Sequence, residues 1–126
     1  MINFQRLAPI IYVADLAAEV AFYEAFGFAI SYRGADFPNF IAVKQGELEF
    51  GIEHRPEFSA AEAARSFFWQ FVVDDLNGAV AICQRHGFAH NPPKCYWEAG
   101  DGWSMEVQSP NGYTVSLEGP TPGGTR

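Results

Sequence analysis

Basic charge is scarce in this chain. Lys and Arg number 8 against 15 Asp and Glu, for a net charge of −7 at pH 7. Nucleic-acid binding relies on Lys and Arg against phosphates, so nucleic acid is excluded as a partner. The acidic balance favours neutral or cationic ligands over anionic ones, beyond its general service to solubility. Histidine is equally sparse, at three residues, and cysteine is limited to two. Cys83 falls on the apolar side of a helical pattern and reads as a small core residue. Cys95 sits in the Pro-rich stretch Asn91-Pro92-Pro93-Lys94-Cys95 and would be a nucleophile only if His90 or Lys94 lowered its pKa. Two such cysteines make no disulfide framework, and a reducing, cytoplasmic setting is expected. No apolar run approaches the ~20 residues of a membrane span, and Met1 to Arg6 lacks the apolar core of a secretory leader. Gly-rich phosphate loops and Ser-His-Asp or Cys-His spacings are also missing.

Aromatic residues, by contrast, are plentiful. They make up 16% of the chain, with 12 Phe among them, enough for a packed core and an aromatic-lined cavity together. A repeat orders them. The stretch Asp15 to Ala29 recurs without a gap at Asp75 to Ala89, with Asp, Leu, Val, Ala, Gly, Phe and Ala identical at 15/75, 16/76, 20/80, 21/81, 27/87, 28/88 and 29/89. Two copies of one unit of about 60 residues follow from it.

Each copy opens on an apolar, β-prone run, Ile10 to Val13 and Phe67 to Val73. Asp15 and Asp75 then stand where a helix N-cap belongs. Leu16, Val20, Tyr23 and Phe26 recur at helical spacing, as do Leu76, Val80 and Cys83. Gly27 and Gly87 stop the helices, since glycine takes the left-handed conformation without a Cβ penalty. The spacing predicts strands over 8–13, 29–33, 40–44 and 47–53 around a helix over 16–26. A hairpin is expected at Gln45-Gly46. Residues 54–66 link the copies, with a capping box at Ser59 to Glu62 before an Ala-rich helical turn. The second copy repeats the order over 67–86, passes through a turn-rich segment around 90–98, and closes with strands at 102–108 and 113–118. A Pro/Gly tail from 119 to 126 is expected to be frayed. The fold class is α+β, with two tandem βαβββ units in one domain. Their curved mixed sheets form a cup, with the helices on the outer face.

The duplication, the paired Val-x-Asp-Leu (13–16) and Val-Asp-Asp-Leu (73–76), and the turn Ser109-Pro110-Asn111-Gly112-Tyr113 together resemble the vicinal oxygen chelate superfamily. That group holds glyoxalase I, extradiol dioxygenases and the fosfomycin and bleomycin resistance proteins, and the resemblance runs from about 7 to 118. It embraces metalloenzymes and metal-free binders, so it does not by itself decide function.

In metal-using members the resemblance implies four inward-facing ligand positions, two per unit. On this chain they fall at Ala8, Phe68, Glu53 and Ser116. Alanine and phenylalanine cannot bind a metal, and serine is a poor ligand for divalent ions. The expectation is therefore no metal and no other cofactor. A divalent metal ion held by Glu53, with Gln70 and Glu106 as further oxygen donors, stands as the alternative. That alternative would make the protein a lyase, isomerase or dioxygenase.

Strand alternation turns Tyr12, Phe68, Gln70 and Glu106 toward the cup. Phe37 and Phe40 flank the start of the third strand. Tyr96, Trp97 and Trp103 flank the loop Glu98-Ala99-Gly100-Asp101-Gly102. Trp69, Phe71 and Phe22 read as core; for Trp97 and Trp103, core and cavity wall are equally open readings. The expected ligand-binding set is Tyr12, Phe37, Phe40, Glu53, Phe68, Gln70, Trp97, Trp103, Glu106 and Ser116, with no catalytic residue. Aromatic walls beside carboxylates suit a planar or cationic small molecule. The resemblance to bleomycin resistance proteins implies a drug-sequestering homodimer with its ligand in a crevice between subunits.

Overall fold

The structure is a computed structural model and describes residues 1–122. Its chain divides into two compact units, Met1–Phe58 and Ser59–Arg126.

The first unit contains β1 (Ile10–Val13), α1 (Leu16–Ala25), β2 (Ala29–Tyr32), β3 (Phe40–Gln45) and β4 (Leu48–His54). Its sheet order is β1-β4-β3-β2. β1 runs parallel to β4, and the remaining pairs are antiparallel. The second unit begins with α2 (Ala60–Ser66) and continues with β5 (Phe68–Val72), α3 (Leu76–His86), β6 (Lys94–Trp97), β7 (Gly102–Gln108) and β8 (Thr114–Gly119). Its order, β5-β8-β7-β6, and its pattern of one parallel and two antiparallel pairs repeat those of the first unit. The turn-rich segment around 90–98 thus holds a four-residue strand that composition hides.

Local chemistry explains the boundaries. Asp15 Oδ1 accepts the backbone N–H of Ala18 at 3.1 Å, and Asp75 Oδ1 that of Gly78 at 2.8 Å. Each caps an otherwise orphaned donor in the first turn. At the other ends, Phe28 N donates to Tyr23 O (3.1 Å) and Phe88 N to Cys83 O (2.9 Å) across glycines with φ of +95° and +72°. These are paired Schellman-type stops. In the connector, Ser59 and Glu62 complete the reciprocal capping box, both bonds 3.1 Å. The closing turn is tight. Ser109 Oγ accepts Tyr113 N, and a Cβ on Gly112 (φ +95°) would lie 2.8 Å from Ala60 O at the start of α2.

One face of each sheet is covered by its helix. In the first unit Ile11, Val13, Ile41, Val43, Phe50 and Ile52 are buried together against Val20, Phe22 and Tyr23 of α1. Phe22, one of the residues read as core, is only 1% exposed. Glu19, which the apolar spacing passes over, is buried on the same helix. In the second unit Met105, Val107, Val115 and Leu117 share a face with Leu76, Ala79 and Cys83 of α3. Cys83 is fully enclosed, and burial pushes its thiol pKa up. Gly119 belongs to β8, and Thr121 beyond it is bonded to Asp101, so the chain is tied down further than the expected tail allows. The last part of that tail, 123–126, lies outside the described residues.

Candidate functional site

The uncovered face of each sheet carries most of the side chains expected to bind ligand. In the first unit, the register pairs Tyr12 with Glu53 across β1 and β4, and Glu53 with Phe40 across β4 and β3. These three form one row on the face away from α1. Phe40 lies over Gly51, where any Cβ would meet its ring within 2.4 Å. Phe37 sits in the turn before β3 and packs edge-on against Tyr32, centroids 6.3 Å apart.

Glu53 already has a cationic partner. Arg55 Nε donates to its Oε2 at 2.6 Å, and the same guanidinium lies 4.6 Å from the centroid of the Tyr12 ring. Phe58 meets Tyr12 edge-on at 5.9 Å. The hydrogen bond and charge of Glu53 raise the Arg55 pKa above its ordinary value. This row is thus an anion, its own cation and an aromatic platform, all supplied by the chain.

In the second unit Gln70, Ser116 and Glu106 form a row across β5, β8 and β7, on the face away from α3. Phe68 lies one row away, paired with Thr114, and is 60% exposed. Trp103 goes to the other face. It shares alternation with Met105 and Val107, is half-buried, and donates its indole N–H to Asp101 Oδ1 at 3.1 Å.

Trp97 does line a pocket. An open cavity of about 450 Å³ lies at the end of this sheet, lined by Val72, Tyr96, Trp97, Asp101, Glu118 and Pro120 among others. A β-bulge builds it. Cys95 pairs with Trp103 and Trp97 with Gly102, leaving Tyr96 as the extra residue. Plain alternation would send Tyr96 and Trp97 to opposite faces; the bulge re-aims them so that both line the pocket. Glycines make room for both rings. A Cβ on Gly100 would lie 2.2 Å from the Trp97 ring, and one on Gly102 2.7 Å from that of Tyr96. Asp101 (φ +54°) holds the loop, accepting bonds from Trp103, from Thr121 N at 3.1 Å and from the Thr121 hydroxyl.

Glu118 is the residue that the expected set omits. Its Oε1 accepts the Tyr96 hydroxyl and its Oε2 accepts the Gln70 amide. Both donors are neutral, so the carboxylate is fixed in place while its charge remains. None of the lining residues is Lys or Arg. Donation to Glu118, followed by partial desolvation and the carboxylate charge, raises the Tyr96 pKa above the ordinary value of 10.0. The stabilising bond is thus fully present below pH 10 and is lost as pH rises through the higher folded-state pKa. The ultraviolet difference titration between the wild type and Tyr96→Phe should show a phenol ionising late. Glu118→Gln should return that phenol toward the ordinary range, and an unshifted titration in the wild type would contradict the bond.

The pairing registers also correct the assumed equivalence of Glu53 and Ser116. Tyr12 stands opposite Glu53 and its counterpart Val72 opposite Glu118; Ile10 stands opposite Gly51 and its counterpart Gln70 opposite Ser116. Glu53 therefore corresponds to Glu118, and Ser116 to Gly51. Anchored on Ser116, the four implied metal positions become Ala8, Gly51, Phe68 and Ser116, with one hydroxyl; anchored on Glu53 they become Ala8, Glu53, Phe68 and Glu118, with two carboxylates already bonded to Arg55 and to Tyr96 and Gln70. Among the described residues, no three of His, Cys, Asp and Glu gather as a metal would need. With no donor at Ala8 or Phe68, neither set supplies the three or four ligands of a divalent ion.

A family model described as Glyoxalase/Bleomycin resistance protein/Dioxygenase superfamily matches residues 4–117. No curated protein matches the chain by sequence. Among solved structures, a bleomycin-binding protein complexed with bleomycin is similar at 22% identity and a TM-score of 0.71, covering 94% of this chain and 100% of its own. The bleomycin-binding protein of bleomycin-producing Streptomyces verticillus, complexed with copper(II)-bleomycin, is 20% identical, with a TM-score of 0.63 over 98% of this chain and 100% of its own. A lactoylglutathione lyase from Agrobacterium tumefaciens is 16% identical, with a TM-score of 0.67 over 93% and 94% of the two chains. At these identities the structures share a fold with the chain, and the bleomycin binders and the lyase share it equally. With the family model matched over nearly its whole length, the chain belongs to the glyoxalase/bleomycin resistance protein/dioxygenase superfamily.

Proposed function

We propose that the protein binds a small aromatic or cationic molecule without a metal and sequesters it unchanged. The observation that carries this reading is the pocket of the second unit. Two aromatic residues, Tyr96 and Trp97, line it together with a carboxylate held by neutral donors, and no basic residue lines the space. Aromatic faces attract cations through the ring quadrupole, and a fixed carboxylate adds direct charge attraction. The lack of donors at Ala8, Gly51 and Phe68 supports the metal-free side of the reading.

A homodimer is part of the proposal. Ile2, Phe4, Leu7 and Ile10 are 83%, 97%, 85% and 51% exposed, a run of apolar side chains at one end of the chain. A second copy covering this segment would remove it from water. Two free thiols, Cys83 and Cys95, suit a cytoplasmic setting. Among the described residues no helix is long and apolar enough to cross a membrane.

The test is equilibrium titration with bleomycin and with the planar cation proflavine, followed by calorimetry and tryptophan emission. Saturable binding of at least one, with the ligand recovered chemically unchanged, is the expected result. Absence of saturable binding by both, or conversion of the bound compound, would reject the reading.

A further inference from the structure

The two units place a glutamate at the same register position but satisfy it differently. In the first unit the carboxylate of Glu53 is met by Arg55, two residues further along the chain, whose guanidinium lies against the Tyr12 ring. In the second unit the counterpart glutamate is Glu118, and two residues beyond it stands Pro120. Proline brings no cation. It also has no backbone N–H to repeat the 2.8 Å bond that Arg55 N makes to Val13 O. The Tyr12 position is taken by Val72, which is 79% exposed. The aromatic surface comes instead from Tyr96 and Trp97, brought round by the bulge in β6.

The pocket lies where the first unit has its guanidinium. Val72, Glu118 and Pro120, the counterparts of Tyr12, Glu53 and Arg55, all line it. Lys94 is the basic residue nearest by register, paired with Ser104 on the strand beside β8, and it is not among the lining residues. We propose that the second-unit pocket is a guanidinium site, in which a ligand's guanidinium or amidinium group takes against Glu118 the place that Arg55 takes against Glu53. The first unit is a self-liganded copy of the site; the second is the copy left open to an external cation. Guanidinium is favoured over a compact ammonium because the internal precedent is a planar cation that lies over an aromatic ring and donates its Nε–H to the carboxylate. Tyr96 and Gln70 are positioning residues, since they fix Glu118 through neutral hydrogen bonds and leave its charge for the ligand.

This inference rests on the small-molecule-binding reading and sharpens it to one chemical group, and its test separates the two. Phenylguanidine and its uncharged isostere phenylurea are titrated into the intact protein. Phenylguanidine should bind about tenfold more tightly or better, the scale of one charge-assisted contact of ~1.4 kcal/mol. Glu118→Gln should erase that preference. Pro120→Arg, which supplies the cation internally as in the first unit, should weaken phenylguanidine by about tenfold while the fold persists by circular dichroism. Glu24→Gln, on the exposed side of α1, should change neither probe. Equal binding of the two probes by the wild type, or a preference that survives Glu118→Gln, would overturn the guanidinium site. If bleomycin or proflavine still bound in that case, sequestration would stand and only this inference would fall. A Glu118-dependent preference in a protein that binds neither larger compound would uphold the site and reject sequestration of such drugs.

Discussion

Tyr23→Ala is expected to destabilise the first unit by about 3–5 kcal/mol, the usual cost of truncating a large buried aromatic side chain. Tyr23 is 2% exposed and stands at the centre of an aromatic cluster. Its ring lies 5.0 Å from Phe22, 5.7 Å from Phe28 and 4.9 Å from Phe50, each edge-on. Those contacts join α1 to β4 and to the residue after the helix stop, so one truncation empties the junction where helix and sheet meet. The backbone nearby offers little collapse, because Phe28 N is bonded to Tyr23 O across the stop. Urea denaturation should show the midpoint falling with little change in slope. A loss below about 1 kcal/mol would mean that the cluster is not the core of this unit.

Gly112→Ala should cost about 2–4 kcal/mol, from two separable causes. The residue has φ of +95°, a region where a Cβ is strained, and its Cβ would lie within 3 Å of the Cβ, O and Cα of Ala60. Gly87→Ala is the comparison. Its φ is +72° at the end of α3, but nothing lies within 4 Å of the added methyl. That variant should lose about 1–2 kcal/mol from strain alone. The difference between the two measures how closely the turn of 109–112 is seated on α2. Equal losses would show that the turn has room to move away from the helix.

Much of the architecture was legible because short-range chemistry fixes it. Asp15 and Asp75 as caps, Gly27 and Gly87 as stops, and the Ser59–Glu62 box each depend on residues within a few positions. The structure places each of them as read. The strand β6 was not legible, since Asn91-Pro92-Pro93 reads as turn and the four residues after it are too few to show a period. The placement of the side chains expected to bind ligand was legible only in part. Alternation turned Tyr12, Gln70 and Glu106 to one face, and the resemblance supplied Glu53 and Ser116, which the registers set beside Tyr12 and between Gln70 and Glu106. It could not show that Tyr96 joins Trp97 in one pocket, because a bulge suspends alternation and leaves no mark in composition. Glu118 escaped for a different reason. The two copies match at an offset of 60 through their helices, but the connection after the helix and the last hairpin of the second are longer, and by the closing strands the offset has grown to 65, the interval from Glu53 to Glu118. Identity between the copies has faded by then, so only the hydrogen-bonded registers recover the correspondence. Arg55 was likewise invisible as a partner of Glu53 until the strand end placed both on one side of Tyr12.

The central claim is binding without metal and without conversion. Calorimetric titration of proflavine or bleomycin in the presence of EDTA, repeated with manganese, nickel or zinc in place of the chelator, tests it most directly. The account predicts the same affinity in every condition and recovery of intact ligand. Binding that vanishes in EDTA and returns with a divalent ion, or any product formed from the bound compound, would contradict it.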